Sequence, residues 1–202
     1  MMYNASEQPP CLCDPSANQE IERLRLLHRA TLAFNASLDL DKIFHSVLEE
    51  LRHATQASGW SVWMLDDNRA NLVCHQATGP GAEGLLDFSI PASLPLLRPL
   101  LENSICLYVP DTRKHATFDP RVEKQRGTTV RSLICAPLAH RHDTGGKTVI
   151  GLIAVIGTAP GAFTDDECAL LEALAASASV AIHNAELYRQ ARQEIEERRR
   201  AE

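Results

Sequence analysis

Six cysteines, eight histidines and a run of arginines carry whatever chemistry this 202-residue chain can perform. A thiol that attacks or exchanges needs a lowered pKa and a resolving partner. Cys106 and Cys135 fall in segments that read as strands, where cysteine commonly serves as a small buried hydrophobe. Cys11 and Cys13 form a C-x-C, but no second pair follows to complete a metal set. Cys74 and His75 are adjacent in another strand, so their side chains point to opposite faces and do not converge on one ligand. His28, His45, His53 and His183 lie on predicted helices, His140 and His142 in a predicted hairpin, and His115 alone in a polar stretch. They do not form the spaced cluster that a metal needs, nor an evident axial haem site. A G-x-S-x-G elbow and an H-E-x-x-H helix are both missing. The expectation is a chain without catalytic or metal-ligating residues.

Residues 110–131 offer a different chemistry. Asp111, Arg113, His115, Phe118, Arg121, Arg126 and Arg131 combine charge with one aromatic ring. Ligand pockets pair apolar walls with a few polar anchors, and arginine grips carboxylates or phosphates through two parallel hydrogen bonds. This segment is the expected wall of a pocket for a small anionic ligand, anchored by Arg121, Arg126 or Arg131. The competing reading is that these arginines are solvated surface groups. Trp60, Val62 and Met64 complete the candidate pocket from a strand. They share one face, opposite Ser61, Trp63 and Leu65, and the sequence leaves open which face meets the ligand.

The elements that hold these residues follow from periodicity and punctuation. Residues 1–18 are rich in Pro, Asn and Ser and read as an irregular leader. Ile21, Leu24, Leu27, Thr31 and Phe34 then recur at helical spacing. Asp39 suits the N-cap of a second helix with Ile43, Val47, Leu48 and Leu51 inward. Strands are expected at 60–65, 71–77, 105–109, 130–138 and 148–156, with short helices near 91–103 and 121–126. Residues 149–156 are apolar on both alternating faces apart from Gly151, which marks a strand covered on both sides. Thr164 and Glu167 form a capping box. The helix after them has neither Gly nor Pro. Along it Leu171, Leu174, Ala178, Ala181, Ala185 and Tyr188 alternate by three and four, continuing to Ile195, as a coiled-coil seam does. The layout is α+β: an antiparallel sheet of five to six strands, terminal helices on one face, and lid-like loops and short helices on the other. Residues 19–188 form the domain and 189–202 a helical extension.

Composition removes several function classes. The formal net charge is −6, and no long segment is basic, so a nucleic-acid footprint is missing. The longest apolar run, 149–157, falls short of the ~20 residues a spanning helix needs. No secretory signal is evident at the N-terminus, so a cytoplasmic protein with reduced cysteines is expected.

Three stretches resemble one family. "SLDLDKIFHSVLEEL", "VRSLICAPL", and "VIGLIAVIG" followed by "FTDDECALLEALAASASVAIHNAELYRQ" are similar, in that order, to the helix, strand, strand and exit helix of GAF domains. The resemblance covers about residues 19–190. It implies a central antiparallel sheet, dimerisation through the terminal helices, and loops that close over a small molecule. Family ligands include cyclic nucleotides, bilins, haem and metabolites. The bilin-binding branch places a Cys-His pair where this chain has Pro120 and Arg121, so no covalent bilin is expected. The cyclic-nucleotide branch carries an Asn-Lys pair where Gly157 and Thr158 stand. In the methionine sulfoxide reductase branch the cysteines sit in loops, and residues 128–130 have none. The ligand stays unnamed. What the resemblance implies is a sensor of signal transduction that passes its state through a dimeric helix. The expected dimer-helix residues are Leu171, Leu174, Ala178, Ala181, Ala185, Tyr188 and Ile195. The end of the chain just beyond that helix points to an output domain such as a histidine kinase or cyclase. A ligand-free dimerisation module is the alternative, and a free methionine sulfoxide reductase the third reading.

Overall fold

The computed structural model describes residues 15–141 and 146–201. Cys11, Cys13, His142 and most of the expected leader lie outside the described residues. Two helices open the chain: α1 (Pro15–Phe34) and α2 (Leu40–Ala54). α1 starts at Pro15, inside the expected leader and six residues before Ile21, the first residue of the apolar periodicity. Proline is tolerated there because the first helical turn leaves its amides unbonded in any case. Its buried side also differs from the expected one. Ala30 and Phe34 are buried and Leu26, Leu27 and Ala33 pack beside them, whereas Ile21, Leu24 and Thr31 are exposed. Periodicity marks a stripe but not where along it a neighbour ends. α2 begins as expected: the Asp39 carboxylate accepts the Asp41 amide at 3.1 Å, satisfying one orphan donor of the first turn.

Six strands follow: β1 (Gly59–Leu65), β2 (Asn71–Thr78), β3 (Ser89–Pro91), β4 (Leu107–Val109), β5 (Ser132–Arg141) and β6 (Lys147–Gly157). They form one antiparallel sheet in the order β3-β2-β1-β6-β5-β4. β3 is a three-residue edge strand ending in proline, which an edge tolerates because it has no inward amide to lose. The short helices α3 (Arg98–Asn103) and α4 (Arg121–Arg126) lie between strands. Pro95 opens a tight turn and Pro99 sits in the first turn of α3, so the prolines start this region's structure instead of breaking it.

The two-residue period of the strands divides the core. Trp60, Val62, Met64, Ile134, Ala136, Leu138, Ile153 and Val155 face the terminal helices. Trp63, Leu72, Cys74, Leu133, Cys135, Leu152, Ala154 and Ile156 face the opposite way, beneath the loops and short helices. β6, at the centre, is buried on both sides. Gly151 is required there: a Cβ would stand 2.2 Å from the Trp63 carbonyl oxygen.

The long helix α5 (Asp165–Ala201) begins with the expected box. The Glu167 amide donates to Thr164 Oγ1 at 3.2 Å, and the Thr164 amide donates back to Glu167 Oε2 at 2.9 Å. Ser179 Oγ accepts the Ala139 amide at 2.9 Å, and the His140 and His183 rings stack at 4.1 Å, so α5 is held along β5. The heptad seam has another job than the one expected. Leu171, Leu174, Ala178, Ala181 and Ala185 are buried within one chain, in the core shared with α1 and α2, and cannot also meet a second copy. A spacing of three and four states that a stripe is buried, not by what. Only Tyr188 and Ile195 of that set are exposed. α5 is also long and apolar enough over part of its length to cross a membrane, although it holds no uninterrupted apolar run of that length. Its buried apolar residues are taken up by the domain's own core.

Candidate functional site

Beneath α4, on the loop side of the sheet, lies a partly open cavity of about 60 Å³. Its floor is Trp63, Leu133, Cys135, Leu152, Ala154 and Ile156, the loop-side row of the central strands. Its cover is Leu85, Leu97, Phe118 and Val122, from the turns and α4. The Ser61 hydroxyl, also on the wall, accepts the Trp63 indole N–H at 2.8 Å. The lining is almost wholly apolar, with Arg126 at its margin.

Arg126 is the last residue of α4 and is 3 % exposed. Its Nε donates to the Pro80 carbonyl at 2.9 Å and its Nη2 to the Thr78 carbonyl at 2.6 Å. The backbone has been cleared around it. A Cβ on Gly59 would lie 2.1 Å from Nη2, and one on Gly81, which adopts a left-handed φ of +70°, would lie 1.7 Å from the Arg126 carbonyl oxygen. Gln125 Nε2 donates to the Gly84 carbonyl at 2.7 Å, fixing α4 to the same turn. No carboxylate pairs with Arg126 among the described residues. Burial lowers its pKa from the ordinary arginine value, yet a guanidinium stays protonated at any physiological pH. The Cys74 thiol beside it supplies no negative charge, because burial pushes that thiol up to about 12.

The other expected anchors lie elsewhere. Arg121 is exposed and grips Asp119 through Nε at 2.8 Å. Arg131 pairs with Asp111 at 3.2 Å, outside the cavity. Burial alone would raise the Asp111 pKa, but the Arg113 amide and the Arg131 guanidinium outweigh it and hold the carboxyl below its ordinary value. His115 Nδ1 is engaged locally with the Thr117 hydroxyl at 3.1 Å. Trp60, Val62 and Met64 are on the helix side of the sheet, so the strand face that lines the cavity is the opposite one, with Ser61 and Trp63. Arg113 pairs with Glu123 at 2.8 Å, so of the ten expected pocket residues Phe118 and Arg126 reach the cavity. Leu85, Leu97 and Val122 were not among them: Leu85 and Leu97 sit in short apolar runs that read as packing, and only Val122 stands alone among polar residues.

Met64 instead borders a wide groove of about 1070 Å³ between the start of α2, the β1–β2 turn and α5. Phe44 and His75 form part of its floor, with ring centroids 5.6 Å apart. Glu186, Arg189 and Arg192 line it from α5. Burial raises the Glu186 carboxyl above its ordinary pKa, against the opposing pull of Arg189 and His183.

The thiols are poorly placed for nucleophilic chemistry. Burial pushes Cys106 up to about 12 and raises Cys135 and Cys168 as well. Nucleophilic thiols need the reverse shift. Among the described residues no cluster of three His, Cys, Asp or Glu side chains could hold a metal.

The GAF domain family model matches residues 39–182, from the cap of α2 to the middle of α5. The chain belongs to the GAF domain family. Its fold is shared by the GAF domain of a phosphoenolpyruvate-protein phosphotransferase from Coxiella burnetii, with a TM-score of 0.70 at 18% identity over 83% of this chain and 96% of that one. A putative GAF sensor protein from Burkholderia vietnamiensis matches with a TM-score of 0.66 at 17% identity over 83% and 98%. Free methionine-R-sulfoxide reductase from Neisseria meningitidis, solved with its substrate, matches with a TM-score of 0.68 at 15% identity over 93% and 98%. No curated protein sequence matches the chain. GAF domains form a family of signalling and sensory modules, and this fold is also used by an enzyme.

Proposed function

We propose that this chain is a regulatory sensor of the cytoplasm. A small molecule occupies the cavity under α4, and α5 carries the resulting state, in a homodimer, to an output such as a histidine kinase or cyclase, linked or downstream. The observation that carries this reading is the course of α5. The last residue of its inner seam is Ala185, yet the helix continues to Ala201, and residues 187–200 are all exposed. A helix of that length finds no support from its own domain, and isolated helices of this size are marginal in water. It becomes useful when something beyond the domain packs on it. Val180 and Leu187, one heptad apart and both exposed, supply an apolar start for such packing.

A ligand-free dimerisation module is favoured by one specific observation: the loop-side face of the sheet is filled almost completely by its own side chains. The two readings separate by native mass spectrometry of the purified chain. The sensor reading expects two chains together with a retained small molecule, or one taken up from a metabolite panel. Two chains that take up nothing from such a panel would leave the dimerisation module in its place. The raised thiols argue against the reductase reading, which would require turnover of free methionine sulfoxide abolished by Cys106→Ser or Cys135→Ser.

A further inference from the structure

Arg126 is a buried cation without a buried anion. Charges taken out of water are normally paired, and the carbonyl oxygens of Thr78 and Pro80 supply only partial charge. Those two bonds use Nε and Nη2; Nη1 has no hydrogen-bond partner among the described residues and keeps some access to solvent, so it is open to a ligand. The neighbouring groups do not neutralise it. Cys74 is held as a neutral thiol. Asp119 also reaches the cavity wall, but its carboxylate is taken by the Arg121 guanidinium and by the Arg121 amide at 2.9 Å. Thus Arg126 lines the same cavity as Trp63, Leu97, Val122 and Leu152, and its guanidinium sits in a glycine-lined cradle beside it.

We propose that the ligand is a small organic monoanion with an apolar body, of the class of short or branched monocarboxylates, and that Arg126 is its counter-ion. This rests on the reading of the cavity as the sensor's ligand site. Size and lining set the class. A cavity of about 60 Å³, against ~10–15 Å³ per water-sized probe, accepts on the order of five ligand atoms. That fits the body of a branched four-carbon acid, which has six heavy atoms. The apolar wall accommodates the hydrocarbon, and only the carboxylate needs a polar partner. Arginine provides it through charge-assisted bonds, which are about twice as strong as neutral ones.

The test is calorimetric titration of the intact chain with isobutyrate and with its neutral isostere isobutyramide, in chloride buffer at neutral pH. The proposal expects the acid to bind about tenfold or more tightly than the amide. It also expects Arg126→Gln, where circular dichroism shows it folded, to remove that preference. Should the variant not fold, the acid–amide comparison on the unaltered chain still decides. An amide that binds as well as the acid overturns the monoanion class while leaving the cavity as a ligand site. Binding of neither compound overturns the monoanion class, and failure of a wider neutral panel to bind would overturn the ligand-site reading separately.

Discussion

Arg126, buried on one side of the sheet, and Glu186, half-buried on the other, show how single charges constrain the molecule. Arg126 holds α4 to the end of β2 through two backbone carbonyls. Glu186 sits where α5 leaves the domain, and burial raises its pKa. A carboxyl that holds its proton more tightly in the fold than in the unfolded chain stabilises the fold at low pH. That stability is lost as pH climbs through the raised value. Glu186→Gln is therefore expected to increase stability at neutral pH and to flatten the decline above the ordinary carboxylate range. Urea unfolding across a pH series measures both. Arg126 was within reach of sequence reading, because an arginine in a mixed polar and aromatic segment marks a candidate anchor. Its superiority over Arg121 and Arg131 was not, since all three are the same residue type in the same stretch. What separates them is partnership: Asp119 and Asp111 neutralise the other two, and those pairings exist only once the loops are folded.

At the scale of elements, the strand alternation, the Asp39 cap and the Thr164 box were all readable locally, because their physics is local. The partners of the amphipathic helices were not. The stripe from Leu171 to Ala185 has the spacing of a coiled coil and is buried in its own domain. The outward residues of α5, Val180 and Leu187, stand apart from that seam. Leu174→Ala is expected to cost about 3 kcal/mol, since it opens a cavity in a packed core. Leu187→Ala is expected to change the stability of the single domain by less than about 0.5 kcal/mol. Denaturant melts at high dilution distinguish the two. Equal effects would mean that the division of α5 into an inner seam and an outer stripe is wrong. The same blindness explains the β1 assignment. Alternation separated Trp60, Val62 and Met64 from Ser61 and Trp63, but nothing local says which set the terminal helices will cover.

In the whole molecule, a small cavity lies on one face of the sheet and a helix that outruns the domain lies on the other. β1, β5 and β6 contribute side chains to both faces, so a change in cavity filling acts on strands that also carry α5. The central claim is that the exposed course of α5 is where the module meets a second copy. Sedimentation velocity at micromolar concentration, comparing the unaltered chain with Leu187→Glu, tests it most directly. The expected result is a dimer that Leu187→Glu converts into a folded monomer, because a charge at the outer stripe disrupts the pairing and leaves the inner seam intact. A folded monomer without any substitution, or a dimer indifferent to Leu187→Glu, would contradict it.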